Sequence, residues 1–588
     1  EKKKAPLFRH GRVLGMVLLP LMSGQIALST LSFNASYEIS EEAMRASTRG
    51  YVEVLADKVQ RVLDLGVRLD ELSDLNPYLR KLVEESTAVG AFYITGGQGV
   101  EYSFGKYDGN AGAADRYVKP LRNSAGNVQA EVGAVLNFAL LRNLARALLL
   151  DLGTTFVISV LLMLECVLLI SAAAPGGQTR RRDDTSRAFL RGLAFFYYFA
   201  IDLSISFVPL CMKQFFQGGG SPSALMSGLP ISAEMASAGV AMLFIGLLSS
   251  RLKPVTLLAL GLALTTAGNL NSALAPTPAA YVLARALVGL GYGFALMSMQ
   301  NMVVAASSEN TRGANVALFF VGVYAGGVCG SALGGMLAER FGFAAVFALS
   351  AAMTLLLLLP ILFRRAWWSP GERRKEGERR EGCEKARFSW RGVSAFLGNR
   401  EIAALFLLIV VPCSVINVGV INFLIPYTLE EAGVSQSDIG RLFMLCSLLF
   451  IVFGSRAGVW VETAPRKTRM VTLGALLGAL SLFFFALPAP WLTPFWCAFG
   501  AVCLIGLATA VNIPAQVSFL LGRPSSARIG SESSLSLYTF TERLGQVGGP
   551  LFFGSAMLLF GGGTFALLGG GVALGSAFLF RVLARERE

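Results

Sequence analysis

The chain is 588 residues long, 54% hydrophobic and only 15% charged, with a mean hydropathy of +0.58, which excludes an ordinary soluble globular protein. Its formal net charge is +13, but the lysines and arginines sit in short loops beside apolar runs, the pattern of cytoplasmic loops rather than of a nucleic-acid surface. Cys166, Cys211, Cys329, Cys413, Cys446, Cys497 and Cys503 fall inside apolar runs and Cys383 in a basic loop; with no CxxC pair and a single histidine, His10, metal, redox and histidine-relay chemistry have no support.

Apolar runs of about 20 residues recur, and fourteen spanning helices are expected. Residues 1–12 are basic, and an apolar run follows from Val13 to about Phe33. A basic stretch before an apolar core also describes a signal peptide, but this run is long and ends at no small-x-small site, so 1–33 reads as a retained anchor. Residues 34–148 form a polar insert. Within it, Glu41 to Leu72 reads as an amphipathic helix with Val52, Leu55, Val59, Val62 and Leu63 on one face. Ala88 to Thr95 and Val100 to Phe104 read as a hairpin around Gly96-Gly97-Gln98-Gly99, and Val118 to Leu121 and Val128 to Leu136 as a second pair. This order resembles the extracytoplasmic Cache (PAS-like) sensor domains, and the resemblance implies a small-metabolite site on the sheet, with Tyr93, Tyr102, Arg116 and Tyr117 as candidate lining residues; ordinary surface and core positions are the alternative. A second anchor covers 149–175 and carries Glu165, a lone intramembrane carboxylate that is either functional, protonated, or paired with a neighbouring helix.

Twelve further helices are expected at about 189–210, 225–249, 254–275, 279–306, 313–337, 342–364, 401–424, 438–460, 469–488, 492–521, 530–560 and 563–584. Arg180, Arg181, Arg182, Arg187, Arg191, Arg251, Lys253, Arg312, Arg466, Lys467, Arg469, Arg523 and Arg528 all fall in loops of one parity, which places both ends of the bundle inside and residues 34–148 outside. The one long connection, 365–400, mixes acids with bases and reads as a solvated cytoplasmic linker, with Phe388, Trp390, Val393 and Phe396 forming a short surface helix before 401–588. It divides the helices six and six, so the halves are 186–364 and 401–588.

Charges inside the spans are few. Asp202, Glu234 and Arg285 lie at similar depth and are expected to cluster in a central cavity, where they offset one another. A carboxylate beside an arginine can exchange a proton when the cavity opens to a new side, because desolvation favours its neutral form and the cation its charged form. A structural ion pair is the competing reading. Glu542 and Arg543 are adjacent and point in different directions, so one is expected to face the cavity and the other to seek a partner in the opposite half. Tyr197, Tyr198, Gln300, Asn301, Asn417, Asn422, Asn512 and Gln516 are candidate cavity groups, each weighed against an ordinary interhelical hydrogen bond.

Two glycine ladders, Gly322, Gly326, Gly330, Gly334, Gly335 and Gly545, Gly549, Pro550, Gly554, are roughly 220 residues apart and suggest a duplicated helical unit whose small residues permit close backbone approach. These residues carry a family resemblance. Arg285-x-x-x-Gly289-x-Gly291 resembles the fourth-helix signature of the major facilitator superfamily, and Gly326 to Gly335 resembles its fifth-helix antiporter signature, with Ser331 where the family usually has proline. Gly458-Val-Trp-Val-Glu462 followed by Arg466 and Lys467 is similar to its cytoplasmic-loop signature; the first-half copy, Gly246 to Lys253, has Ser250 where the acid belongs. The resemblance spans Ser186 to the C-terminus.

It implies an all-α major facilitator bundle of two six-helix halves, here joined to a small α+β extracytoplasmic domain held between two additional transmembrane helices. It also implies a coupling role for Asp202 and Arg285, and a latch on the cytoplasmic side involving Arg251, Glu462, Arg466 and Lys467, with Gly326, Gly330, Gly334, Gly549 and Pro550 as gating positions. The expected function is secondary active transport of a small organic solute across the bacterial inner membrane by alternating access, driven by protons or another ion gradient, exporting, without a bound cofactor, and in a monomer surrounded by lipid. No nucleotide-binding glycine loop points to ATP drive and no catalytic site is expected. Uptake fed or gated by the outer domain, a transporter-like receptor, and movement of lipid-like molecules are the alternatives.

Overall fold

The computed structural model describes residues 7–67, 75–96, 99–105, 116–122, 127–173, 180–216, 224–248, 252–305, 307, 312–363, 390–486, 493–529 and 531–584. The chain forms two compact units, Glu1–Val157 and Ile158–Glu588.

In the first unit the anchor and the amphipathic helix are one element, α1 (Leu7–Asp64), 58 residues long and so about 87 Å. It stops at Asp64 rather than near Leu72. After it come α2 (Leu75–Glu85), which the sequence reading missed, and strands β1 (Val89–Gly96), β2 (Gly99–Gly105), β3 (Arg116–Arg122) and β4 (Val128–Leu136). All pairs are antiparallel, in the order β2-β1-β4-β3. Val52, Leu55, Ala56 and Val59 of α1 and Leu79 and Leu82 of α2 bury against Phe92, Ile94, Leu121, Ala130, Val132 and Ala134, which share one sheet face by alternation. Register separates the candidate lining residues. Tyr102 sits opposite Ile94 and Tyr117 opposite Ala134 on the helix-covered face, whereas Tyr93 and Arg116 belong to the other face. The four therefore do not line one pocket. Asp57 of α1 meets Lys119 of β3 at 2.7 Å, and the ammonium holds its carboxyl below the ordinary value of 3.8. From Phe138 the chain continues as α3 (Phe138–Ala173).

The second unit contains the lower part of α3 and twelve long helices among the described residues: α4 (Arg180–Asp202), α5 (Ala224–Leu248), α6 (Pro254–Leu274), α7 (Pro278–Ala305), α8 (Arg312–Phe341), α9 (Phe343–Phe363), α10 (Arg400–Glu431), α11 (Gln436–Thr463), α12 (Lys467–Phe483), α13 (Pro494–Leu521), α14 (Ser531–Phe560) and α15 (Gly562–Leu583). By length and apolarity alone ten described helices, α3 among them, can cross a membrane. At α14 the charged Glu542 and Arg543 lower the hydropathy, whereas α9 is predominantly apolar along all 21 residues of Phe343–Phe363. "Lower" below means the end where α5 hands over to α6; "upper" means the end where α8 turns into α9 at Gly342.

Two helices depart from the regular spans expected. The first breaks after Asp202: residues 203–207 form turns with Ile205 N bonded to Asp202 O and Phe207 N to Ser204 O, and Val208–Gln214 resumes the helix. Pro209 withdraws a donor and crowds the carbonyl four residues back, while the Ser204 hydroxyl bonds back to Ile201 O. Helix α10 runs on to Glu431 and widens twice into π turns, Phe406–Val410 and Gly419–Leu424, each just ahead of a proline, Pro412 and Pro426. The expected surface helix is present as Trp390–Leu397; Phe388 lies outside the described residues.

The ladders explain how the helices pack. Gly322, Gly326, Gly330 and Gly334 of α8 lie on the backbone of Arg191, Phe195, Phe199 and Leu203, so two four-residue periods run in step along α8 and α4. Gly335 points elsewhere, onto Gln436 and Gly440 of α11 in the other half. The second ladder repeats the arrangement, Gly545 and Gly549 against Val411, Val415 and Gly419 of α10, with Pro550 against Gly228 of α5 across the halves. At the upper end the halves are also joined by Lys213 with Glu430 and Ser437 with Glu339, and further down Ser232 Oγ donates to Val547 O at 2.9 Å.

Candidate transport site

Three helices of the first half bring the central charges together. Arg285 on α7 is 2% exposed and the largest fully buried side chain. Its guanidinium donates to Glu234 Oε2 on α5 from Nε at 3.1 Å and from Nη2 at 2.5 Å. The remaining nitrogen, Nη1, reaches Asn269 Oδ1 at 3.3 Å and Ser204 Oγ at 3.5 Å. Asn269 in turn donates to Ser350 Oγ at 3.0 Å, and Ser350 to Ala200 O at 2.6 Å. An arginine so encircled is neutralised in place, which is what burial of a charge demands. Gly289 is required one turn along: an added Cβ there would strike the Glu234 backbone and Ser237 Oγ, and α5 could not come close enough for the pair.

Asp202 stands apart. The expectation was a mutually compensating trio, but Arg285 is fully engaged by Glu234, Asn269 and Ser204, and the Asp202 carboxylate has no hydrogen bond or ion pair among the described residues. Its Oδ2 instead lies over Gly327, 2.8 Å from where a Cβ would be, on the α8 face beside the ladder. The helix break at 203–207 is why: Ser204 turns toward Arg285 while Asp202 faces α8.

Arg543 of α14 crosses between halves. It donates to Tyr292 Oη at 3.3 Å, lies 5.5 Å over the Tyr292 ring, and is braced by Gln546 Oε1 at 2.6 Å. Its neighbour Glu542 accepts from Gln546 Nε2 at 3.3 Å, so the two charges share a glutamine rather than each other. Tyr292 is edge-on to Tyr198 at 5.9 Å, and Tyr197 Oη lies 3.0 Å from Thr265 Oγ1. The result is a polar and aromatic belt, Tyr197, Tyr198, Tyr292, Arg543 and Glu542, across mid-span.

The other candidates divide. Asn417 donates to Thr509 Oγ1 at 3.1 Å, Asn512 faces Cys413 Sγ at 3.8 Å, and Gln516 accepts from Tyr538 Oη at 2.9 Å, all between helices of the second half. Asn301 is exposed near the lower end of α7 rather than turned into the bundle. Gln300 and Asn422 are half-buried with no side-chain bond among the described residues. Of the expected latch, Arg251 lies outside the described residues. Glu462 and Arg466 are exposed, and Lys467 donates to the carbonyls of Val461 and Glu462, the latter at 2.7 Å, capping the end of α11. Ser204, Asn269, Tyr292 and Gln546 were not singled out beforehand; polar side chains one or two turns from an intramembrane charge were the available signal.

Two six-helix halves packed through repeated glycine ladders, with buried charges and a mid-span polar belt, define a helical membrane transporter. The sequence profile of the Major Facilitator Superfamily matches residues 192–550, and the chain belongs to that family. It is an integral membrane protein and a secondary transporter, not an enzyme. The multidrug resistance protein MdtG of Citrobacter koseri is 25% identical over 413 residues, covering 68% of this chain and 94% of that protein. MdtG of Salmonella typhimurium is 25% identical over 403 residues, 67% and 88% of the two chains. Among solved structures, a peptide transporter POT in complex with sulfate superimposes with a TM-score of 0.53 at 17% identity, over 68% of this chain and 94% of that one. The xylose transporter XylE from E. coli, in a partially occluded inward-open conformation, gives 0.51 at 16%, over 68% and 96%.

Proposed function

We propose that the protein is a proton-coupled exporter of a small amphipathic organic solute in a bacterial inner membrane, with the sheet domain on the outer side. The observation that carries the reading is Asp202: a mid-bundle carboxylate without a hydrogen-bond or ion-pair partner among the described residues, Arg285 being committed to Glu234. Such a group can load and release a proton without dismantling the ion pair that holds α5 and α7 together, so protonation is free to follow the opening of the cavity. The basic residues Arg191, Lys253, Arg466, Lys467 and Arg523 gather toward the lower end, which the positive-inside tendency assigns to the cytoplasm. The contacts between halves at the upper end, Lys213 with Glu430 and Ser437 with Glu339, then close the outer side. Two curated relatives named for multidrug resistance support export and a broad organic substrate class. The mid-span belt of Tyr198, Tyr292 and Arg543 is the proposed solute contact, since aromatic faces tolerate varied shapes.

The test uses the full chain in proteoliposomes with ethidium as probe. An imposed pH gradient is expected to drive ethidium across the wild-type membrane, whereas Asp202→Asn retains probe exchange at zero gradient and loses the gradient-driven component. Undiminished gradient-driven transport by Asp202→Asn would overturn the coupling role.

A further inference from the structure

A groove of about 490 Å³ opens on the outer surface of the second half, away from the central site. It is formed by Phe453, Ala457 and Trp460 of α11, Leu473 and Leu477 of α12, and Leu507, Ala510 and Val511 of α13. Its lining is apolar except for one charge, Arg456. Arg456 is exposed and has no hydrogen bond or ion pair among the described residues. A guanidinium stays charged and is costly against hydrocarbon unless it meets an anion or water. In this protein the other spanning arginines of the bundle core, Arg285 and Arg543, have protein partners. Arg456 does not.

Depth selects the anion. Arg456 lies seven residues from Thr463, the last residue of α11, and so about 10 Å above its lower end. Trp460, 63% exposed, is one turn below it on the same stripe, the placement of an interfacial anchor. The groove climbs from there past Leu473 and Leu477 toward Leu507, on the side of the hydrocarbon. On α12 the stripe of Leu477 and Leu473 continues downward to Arg469, a second exposed cation at headgroup level.

We propose that this groove binds one anionic phospholipid of the lower leaflet, its phosphate on Arg456 with Arg469 nearby and an acyl chain lying in the α11–α13 groove. The guanidinium offers two parallel donors to phosphate oxygens, and the apolar lining accepts the chain. A zwitterionic lipid fits the groove equally well but places a compensating cation beside Arg456, so selectivity comes from net charge.

The full chain, purified in detergent, is titrated with phosphatidylglycerol and, separately, phosphatidylcholine, and bound lipid is counted by native mass spectrometry. One phosphatidylglycerol is expected to persist at concentrations where phosphatidylcholine is stripped. Arg456→Gln weakens that site by on the order of tenfold or more, as loss of a charge-assisted bond requires, and Arg456→Lys weakens it less. The thermal midpoint without added lipid is expected to be the same for wild type and both variants, since Arg456 is exposed and makes no hydrogen bond or ion pair among the described residues. Equal retention of the two lipids, unchanged phosphatidylglycerol binding in Arg456→Gln, or displacement of the lipid by millimolar inorganic phosphate would each overturn the assignment.

Discussion

Replacing Gly330 by alanine isolates the contribution of backbone contact between α4 and α8. A Cβ at Gly330 would lie 2.5 Å from Phe199 O and 3.2 Å from the Asp202 backbone, where ordinary contact begins near 3.4 Å. The nearest obstacle is a backbone carbonyl in the last turn of α4 rather than the end of a flexible side chain, so α4 and α8 must separate by roughly 0.9 Å or bend, against a packed interior that yields poorly. A cost of about 1–3 kcal/mol follows from overpacking, with dispersion along the whole ladder lost as the helices part. Gly549, whose Cβ would stand 2.9 Å from Val415 O and Gly419 N, is the milder second-half case. Gly571 of α15, with nothing within 4 Å, is the control, and alanine there gains up to about 1 kcal/mol of helix propensity. Thermal midpoints of the three variants in one detergent should therefore fall in the order Gly571→Ala, Gly549→Ala, Gly330→Ala. A Gly330→Ala protein as stable as Gly571→Ala would refute the close-packing account of the ladder.

Two further predictions concern charges outside the central site. Glu165 of α3 meets Arg191 of α4 at 2.9 Å, with Glu165 Oε1 and Arg191 Nε buried and unbonded. Either single truncation, Glu165→Ala or Arg191→Ala, should cost about 3–5 kcal/mol by stranding a buried charge, whereas Glu165→Leu with Arg191→Met should recover most of it; a double-variant loss equal to the sum of the two single losses, by thermal melting, would show that the pair does not interact. In the first unit, the depressed Asp57 carboxyl contributes stability that is present above the ordinary value of 3.8 and vanishes as pH falls through its lower folded value. The gap between wild type and Asp57→Asn should therefore be small, as for any exposed pair, constant at neutral pH, and closed in acid; a gap that widens in acid contradicts the assignment.

Much of the bundle was legible because lipid imposes a strict code. Backbone groups must be satisfied within each span, so apolar length alone located twelve helices to within a few residues over most of their ends. Glycines at intervals of four marked the close contacts of α8 with α4 and of α14 with α10. The break at 203–207 was harder to see: every residue there except Ser204 and Ser206 is apolar, and Pro209 acts four residues upstream of itself. The junction of anchor and amphipathic helix in α1 was missed for the opposite reason, since Asn34 and Ser36 look like a boundary yet nothing there forbids helix. Partner choice was least legible. Three charges at one depth gave no indication that Arg285 would take Glu234 and leave Asp202, because that depended on where α4 broke.

Helix α4 is where these features converge. One face carries the carbonyls of Arg191, Phe195, Phe199 and Leu203 against the α8 ladder. The Arg191 side chain holds Glu165 of α3, and Ile158 of α3 packs with Phe195, Ala325 and Cys329. Eleven residues along, about 16 Å, the same helix ends at Asp202 beside Gly327. A helix seated on glycine has no interlocking side chains to resist sliding, so its position is fixed by its ends and by whatever grips its flank. In α4 the flank is gripped by a helix that the Major Facilitator Superfamily match, beginning at residue 192, does not include. The Glu234–Arg285 pair, built on α5 and α7, is tied to the same helix through Ser204 Oγ and through Asn269 and Ser350 to Ala200 O, so α4 links the Arg191–Glu165 contact, the Asp202 carboxylate and the central ion pair.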